Sequence, residues 1–398
     1  MNPLLTEEEI RGRLSRFQIR LTKMGLDGAL IAQKTDLYYL SGTDQDAHLW
    51  VPASGPPLLM VRRSVERARE DALVEEVVPV KSLSQIPEYI HGHSGKDKGL
   101  MGLEMDVLPV GRYLKYRDLF PGVKMVDISK EIRKTRMVKS AYEISCVEEA
   151  GLMADRAYEK IPAFLMQGET EIDLTYRVEG FYRSQGHPGV IPTRGFNYEA
   201  LYGQISSGWR SAAPSNSAGP TGGRGLGPFF SQGASMERIG PNQPILVDYA
   251  ANFNGYISDL TRIFSIGRID QGMRRAHETA LAIQGAVARQ GKPGVRAESL
   301  YDLAMSMAQE AGLESRFMGY PDPVPFIGHG VGLELDEWPV IGRGSGTLLR
   351  EGMVIALEPK FIFPDRGVVG IENTFVVEKD GMKKLNHFPE EIFEVRQA

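Results

Sequence analysis

The first part of the chain alternates between short apolar runs and amphipathic segments. Thr6 and Glu9 form a capping-box pattern that opens a helix, and Gly25 can close that helix. Helix-like segments lie between most of the apolar runs, so the pattern predicts an α/β domain over residues 1–135 with no cluster of carboxylates and histidines. We expect this domain to act as a scaffold or in dimerisation. The apolar runs that predict strands are 28–32, 58–61, 76–80, 99–103 and 123–126.

The rest of the chain groups its helices and strands differently. Ser140 and Glu143 form another capping box, and apolar residues follow it at helical spacing. This grouping predicts an α+β domain over residues 136–398. Further helices are predicted at about 170–184, 270–290 and 297–311, and strand-rich blocks at 243–266 and 352–379.

Composition and charge exclude several classes of protein. The 398 residues suffice for two or three domains, and the net charge of −5 is spread without long runs of one sign, so no nucleic acid or anionic membrane is expected as a partner. No apolar run reaches the roughly 20 residues that span a bilayer, and the first residues lack the pattern of a secretory signal. Cys146 is the only cysteine, which excludes an internal disulfide and a cysteine-based zinc site. We expect a structural thiol and a cytoplasmic protein.

Candidate chemistry begins with two aspartates in a predicted hairpin. Two β-prone runs flank Asn252-Phe253-Asn254-Gly255, a strong turn signal. If these four residues form the loop, Asp248 faces Asp259 with the Cβ atoms roughly 5 Å apart. Two carboxylates among apolar neighbours repel each other and resist desolvation. Protonation of one carboxylate relieves this repulsion, and so does a bound cation. Taken alone, each could equally cap a turn or pair with an arginine such as Arg262.

Three more residues carry the same kind of signal. Glu358 and Glu372 each lie alone in an apolar, strand-like run, which is unfavourable without a partner. His329 lies between Gly328 and Gly330, which permit close approach of another group. The four carboxylates and the imidazole form a ligand set suited to manganese, iron, cobalt or zinc, and their charges would balance two divalent ions. A water bridging such ions becomes a nucleophile near neutral pH, so cleavage of an amide-like C–N bond is the expected reaction.

In their local contexts, these five residues resemble the pita-bread metallopeptidases, specifically prolidases and Xaa-Pro aminopeptidases with a creatinase-like N-terminal domain. The resemblance covers nearly the whole chain. It implies a pita-bread catalytic domain, two divalent ions with manganese foremost, and a homodimer. It also implies that Glu358 carries a proton from the water to the leaving amine. The pattern is Asp248 and Asp259 in Val-Asp…Ser-Asp-Leu-Thr-Arg, His329 in Gly-His-Gly-Val-Gly-Leu-Glu, Glu358 in Leu-Glu-Pro and Glu372 in Ile-Glu-Asn.

Three departures from the family pattern concern the substrate pocket. Asp336 stands where peptidase members usually carry a second histidine, after the metal-binding one. The glycine-rich stretch 217–228 stands where they tend to carry a histidine upstream of the first aspartate. Gly370 and Asn373 flank Glu372 where an arginine and an aspartate are common. We therefore expect an intact metal centre and an altered pocket, in which Asp336 either favours a cationic or donor-rich ligand or only braces its loop.

Three functions remain open. The first is hydrolysis of the peptide bond before proline, by an Xaa-Pro dipeptidase or aminopeptidase. The second is metal-dependent hydrolysis or lyase chemistry on a small non-peptide molecule, which the two absent histidines motivate. The third is a binding module without catalysis, and the complete set of five candidate ligands argues against it.

Overall fold

The computed structural model describes residues 4–94, 99–215 and 219–396. These residues form two compact units. One ends at Arg136 and also includes Arg194–Tyr198, and the other comprises Met137–Thr193 and the residues from Glu199 onward. The sequence-based domain boundaries, 1–135 and 136–398, stay a proposal. Within the described ranges, no helix combines the length and the apolar character needed to cross a membrane.

The first unit is built on a mixed six-stranded sheet with the order β4-β3-β2-β1-β5-β6. The pairs β1–β5, β5–β6 and β3–β4 are parallel, and β2 runs antiparallel to both of its neighbours. The strands are β1 (Gly28–Ile31), β2 (Ala47–Pro52), β3 (Leu58–Val61), β4 (Glu76–Pro79), β5 (Leu100–Leu103) and β6 (Lys124–Asp127). The helices are α1 (Glu7–Lys23), α2 (Lys34–Ser41), α3 (Val65–Asp71), α4 (Ile86–Ser94), α5 (Val110–Leu119) and α6 (Ser129–Arg136), with a 3-10 helix at Leu83–Gln85.

Most of these elements agree with the hydrophobic pattern, and β2 is the exception. Thr6 caps α1 as predicted, because its side chain accepts a hydrogen bond from the Glu9 amide at 3.2 Å. The pattern did not predict β2, although all six of its residues are buried. Its apolar run is interrupted by His48, whose polar ring is buried with the rest of the strand.

His48 pairs with a tyrosine of α5 inside this unit. Its Nε2 lies 2.6 Å from the Tyr116 hydroxyl, and its Nδ1 has no hydrogen-bond partner among the described residues. Burial lowers the pKa of His48 to about 4, and the Arg112 guanidinium acts in the same direction. Burial also raises the pKa of Tyr116 to about 12, so the tyrosine donates its proton to a neutral imidazole.

We expect His48 to make the free energy of unfolding fall as the pH drops. The unfolded chain protonates this ring below about 6.5, whereas the folded protein resists until about 4. The stabilisation that the neutral ring contributes is therefore complete above the unfolded-state pKa. As the pH falls below that value, the free energy of unfolding decreases, by about 2 kcal/mol near pH 5. Urea unfolding near pH 7.5 and near pH 5 measures this loss. His48→Gln does not titrate and should remove it, and an unchanged pH dependence in that variant would contradict the assignment.

The described residues of the second unit form three sheets, with orders β17-β9-β8-β7, β11-β10-β12-β15-β16 and β13-β14. The helices are α7 (Ala141–Tyr158), α8 (Ile161–Phe164), α9 (Glu171–Ser184), α10 (Gln271–Gln290) and α11 (Ala297–Glu310), with 3-10 helices at Gly208–Ala212 and Glu314–Arg316. The strands are β7 (Gly203–Ser207), β8 (Ile245–Phe253), β9 (Tyr256–Ile266), β10 (Phe326–Gly330), β11 (Glu337–Gly342), β12 (Val354–Leu357), β13 (Lys360–Phe363), β14 (Gly367–Gly370), β15 (Asn373–Glu378), β16 (Gly381–Lys384) and β17 (Phe393–Val395). The three predicted helices and both strand-rich blocks are confirmed.

Helix α7 covers one face of the β8–β9 hairpin and leaves the other face for the site. It begins at a complete capping box, in which the Ser140 and Glu143 side chains each accept from the other's amide, as predicted. Val247 and Leu260 lie in the hydrophobic cluster that includes the apolar face of α7. Because side chains alternate along a strand, Asp248 and its same-face neighbours point to the opposite side.

Candidate metal centre

The β8–β9 hairpin places both aspartates on one face, in a register that differs from the predicted one. Asn254 and Gly255 form a two-residue turn with φ of 50° and 86°, a conformation that an Asn-Gly pair favours. Asp248 therefore pairs with Thr261, and Asp259 with Ala250. The predicted four-residue loop and the direct opposition of the aspartates are wrong. Because the shift is two residues, the two carboxylates are diagonal neighbours that still share a face.

The other three candidates come from the five-stranded sheet. His329 lies in β10, Glu358 directly follows β12, and Glu372 directly precedes β15. These strands are neighbours in the order β10-β12-β15, so the three side chains start from adjacent positions. The backbone of Glu372 also forms a bridge to Thr261 of β9, with both N–H···O distances 3.3 Å. This bridge joins the aspartate hairpin to the sheet that carries the histidine and glutamates.

The structure brings four of the five candidates close to one another. One ligand atom from each of Asp259, His329 and Glu372 lies within 4.8 Å of the other two, and all three residues are buried. The Oε1 atoms of Glu358 and Glu372 each lie 3.9 Å from His329 Nε2. Carboxylate oxygens around one imidazole nitrogen fit a first-row divalent cation.

The orientation of His329 is set by the nitrogen that faces away from the carboxylates. Its Nδ1 lies 3.0 Å from the Leu335 carbonyl and 3.2 Å from the Gly330 carbonyl, which accept its proton. With Nδ1 held in this way, it is Nε2 that faces the cluster, and loss of its proton would present a lone pair there, as in metal-binding histidines. Asp336 lies on the Nδ1 side, with Oδ1 at 3.7 Å and a side chain 44% exposed. Its predicted contact with substrate stays a proposal.

Sequence reasoning missed Lys360, which lies inside the carboxylate cluster. Its side chain is 1% exposed, and its Nζ lies 2.8 Å from Glu372 Oε2, 2.9 Å from Glu358 Oε2 and 3.3 Å from Asp248 Oδ2. An ammonium group has three N–H donors, and here three carboxylate oxygens accept them. Burial alone would lower the pKa of Lys360, but the three carboxylates raise it well above its usual value. The side chain is therefore a cation at neutral pH.

A signal for Lys360 was present in the sequence. The residue opens the otherwise apolar strand β13, Lys-Phe-Ile-Phe, and all four residues of this strand are buried. A charged side chain in such a run requires a buried partner of opposite charge. The criterion that singled out Glu358 and Glu372 therefore applies equally to this lysine.

The charges of the remaining groups make the cluster attractive to cations. Burial raises the pKa of Asp259 well above its usual value, and the negative charges of Glu372 and Asp248 raise it further. Burial lowers the pKa of His329, but the surrounding carboxylates, Asp336 and Glu358 first, raise it to about 9. Both raised pKa values have the same cause: positive charge, whether a proton or a cation, stabilises the ionised carboxylates of the cluster.

Arg262 supports the cluster from behind and does not pair with its aspartates, contrary to the alternative considered above. Its guanidinium is buried, and all five of its N–H groups have acceptors. Asn373 also donates to Gln284 and Glu390, so the asparagine beside Glu372 belongs to this framework. The acceptors of Arg262 are the carbonyl oxygens of Pro389, Thr261, Glu372 and Phe388 and the Oδ1 of Asn373.

The glycine-rich stretch 217–228 lies only partly within the described residues, which resume at Gly219. Its described part is tied to β7 by a hydrogen bond of 3.1 Å from the Gln204 amide to the Thr221 hydroxyl. Gly225 donates to the Gly233 carbonyl at 3.0 Å. The interpretation of this stretch as a flexible or substrate-facing loop stays a prediction.

Comparison with known proteins agrees with this architecture. The family model for the Creatinase/Prolidase N-terminal domain matches residues 13–138, and that for metallopeptidase family M24 matches residues 145–379. The Xaa-Pro dipeptidase of Pyrococcus horikoshii is 29% identical over 376 residues, which cover 94% of this chain and 96% of that protein. The Xaa-Pro dipeptidase of Lactobacillus delbrueckii is 28% identical over 390 residues, with 95% and 98% covered.

Solved structures give the same result for the fold. The prolidase from Pyrococcus horikoshii superimposes with a TM-score of 0.80 at 26% identity, covering 95% of this chain and 99% of that one. The dipeptidase PepE from Mycobacterium ulcerans also has a TM-score of 0.80 at 26% identity, with 99% and 100% covered. The predicted combination of a creatinase-like N-terminal domain and a pita-bread domain is confirmed. Because the second family model alone spans more than half of the chain, the chain belongs to metallopeptidase family M24.

Proposed function

We propose that this metallopeptidase hydrolyses the peptide bond before proline, in dipeptides or at the start of longer peptides. The observation that carries the proposal is the buried convergence of Asp259, His329 and Glu372, with Glu358 beside them. Relatives that span nearly the whole chain are named Xaa-Pro dipeptidases, which supports the substrate class. Manganese is the proposed metal, and cobalt, zinc or iron fit the same ligands.

Metal, acid–base group and positioning group have separate roles in the proposed reaction. A bound divalent ion supplies Lewis-acid chemistry, which lowers the pKa of water and polarises a carbonyl. Glu358 is placed to take up a proton at Oε1 and release it to the leaving amine, because this oxygen faces His329 within the cluster. Its Oε2 accepts from Lys360 at 2.9 Å, which holds the carboxylate in this orientation.

Three further predictions from the sequence concern the assembly, the location and the number of ions. A homodimer and a cytoplasmic location are retained as proposals. The predicted pair of divalent ions is a proposal that did not take the ammonium group of Lys360 into account.

Chelator-stripped protein reloaded with manganese or cobalt tests the substrate class. Ala-Pro and Ala-Pro-Ala serve as substrates, and Ala-Ala and Ala-Ala-Ala are the matched peptides without proline. We expect the proline peptides to be cleaved at least about tenfold faster, and the stripped protein to be inactive. Folded, metal-loaded protein that cleaves none of these peptides would contradict the proposal. It would favour the alternative of a small non-peptide substrate, which Asp336 in place of the usual histidine already motivates.

A further inference from the structure

We propose that the ammonium group of Lys360 takes the place of one of the two divalent ions, so that each chain holds a single ion beside His329. The inference rests on the proposed metal dependence only in assuming that the site binds an ion. It holds for any substrate, peptide or not.

The two glutamates divide their oxygens between two positions. The Oε2 atoms of Glu358 and Glu372 lie 2.9 Å and 2.8 Å from Lys360 Nζ. The Oε1 atoms of the same residues lie 3.9 Å from His329 Nε2. The cluster therefore has one position on the imidazole side, lined by a nitrogen and carboxylate oxygens, and a second position that the ammonium group already fills.

The oxygens around the ammonium group are occupied by donors. Glu372 Oε2 accepts from Lys360 and also from the Thr261 hydroxyl at 2.8 Å. Asp248 Oδ2 completes the three contacts of the ammonium at 3.3 Å. A second divalent ion would have to displace these hydrogen bonds and lie against a buried positive charge. Two ions were expected in order to balance four carboxylates, and Lys360 supplies part of that balance.

The backbone opposite Lys360 approaches it closely. Lys360 pairs with Gly370 across the β13–β14 ladder. A Cβ atom at position 370 would lie 2.6 Å from the Pro359 carbonyl oxygen, 2.7 Å from Lys360 Cα and 2.8 Å from Lys360 Cγ, closer than packed atoms approach. Two of these three atoms belong to the backbone, so the close approach of β13 and β14 itself requires glycine at this position, and the lysine stem adds a third contact.

The metal content of the full-length protein tests the proposal without any substrate. Chelator-stripped protein is incubated with excess manganese, desalted, and measured for manganese per chain and for its electron paramagnetic resonance spectrum. We expect one ion per chain and a spectrum without exchange coupling between ions. Two retained ions with a coupled spectrum would overturn the proposal, and so would protein that retains none. Neither count depends on peptide turnover. The number of ions per chain can therefore be determined even if the protein does not cleave the proposed peptides.

Variants identify the residue responsible. Lys360→Ala removes the ammonium group and should raise the count from one ion to two, with an exchange-coupled spectrum. Lys139→Ala is the matched control, because Lys139 is equally buried in the same unit but pairs with Glu337 at 2.7 Å outside the cluster. The control should keep one ion. A count of one in folded Lys360→Ala, or two in the control, would overturn the role of Lys360, and the wild-type count remains decisive if a variant does not fold.

Discussion

Replacing Glu358 with glutamine is expected to lower kcat for Xaa-Pro hydrolysis by roughly 10²–10⁴-fold, the range for loss of a positioned acid–base group. The carboxylate faces His329 with one oxygen and accepts from Lys360 with the other. A glutamine side chain has one acceptor oxygen and one NH₂ donor. It can therefore place an oxygen toward His329 or toward Lys360, but not toward both. It also cannot take up and release a proton. The fold should survive, because Lys360 keeps two other carboxylate partners.

The measurement compares kcat for Ala-Pro at full metal occupancy, checked by elemental analysis of each protein. Glu171→Gln is the matched control, because Glu171 is a fully buried carboxylate of the same unit that lies outside the cluster. It accepts from the amides of Ser207 and Ser235 at 2.7 Å and 2.9 Å. The control should lower the melting temperature while kcat stays within about threefold. A kcat within tenfold of wild type for folded, metal-loaded Glu358→Gln would remove the proton-transfer role.

Local sequence signals predicted much of the fold. They failed for the hairpin register and for strand β2, which depend on turn geometry and on a contact between distant residues. Helix α7, which Ser140 caps, was predicted because a capping box and an apolar periodicity are both local in the sequence. The hairpin register was missed because Asn254-Gly255 forms the whole turn, and two loop lengths were compatible with the same residues. Strand β2 was missed because a buried histidine, whose Nε2 pairs with a tyrosine far away in the sequence, interrupts its apolar run.

The candidate site shows the same division between local and long-range information. Glu358 and Glu372 were noticed because a carboxylate in an apolar strand is unusual in itself. Lys360 has the same local signal, but its meaning depends on the three carboxylates that surround it, two of which come from other strands or loops. Gly370 was noted only as a departure, since the contact with the lysine stem is visible only when β13 and β14 are paired.

The two aspartates of the hairpin are expected to respond differently to replacement by asparagine. Asp259 offers an oxygen to the group formed with His329 and Glu372, within 4.8 Å. Asp259→Asn should therefore lower manganese affinity by at least about 100-fold, more than the typical loss for groups that only support a ligand. Asp248 instead contacts the ammonium of Lys360 at 3.3 Å. Asp248→Asn should lower the affinity by less than about tenfold.

Calorimetric titration of the two chelator-stripped variants with manganese measures this contrast. Asparagine has nearly the size of aspartate, and at position 248 its carbonyl oxygen can still accept from Lys360, so the fold and the lysine position should persist. A centre with two ions is expected to draw on both aspartates as ligands, because the charges of all four carboxylates are needed to balance two divalent ions. Equal losses of affinity in the two variants would therefore contradict a single-ion centre. A loss confined to Asp259→Asn follows if Asp248 serves the ammonium group and the ion lies on the side of His329.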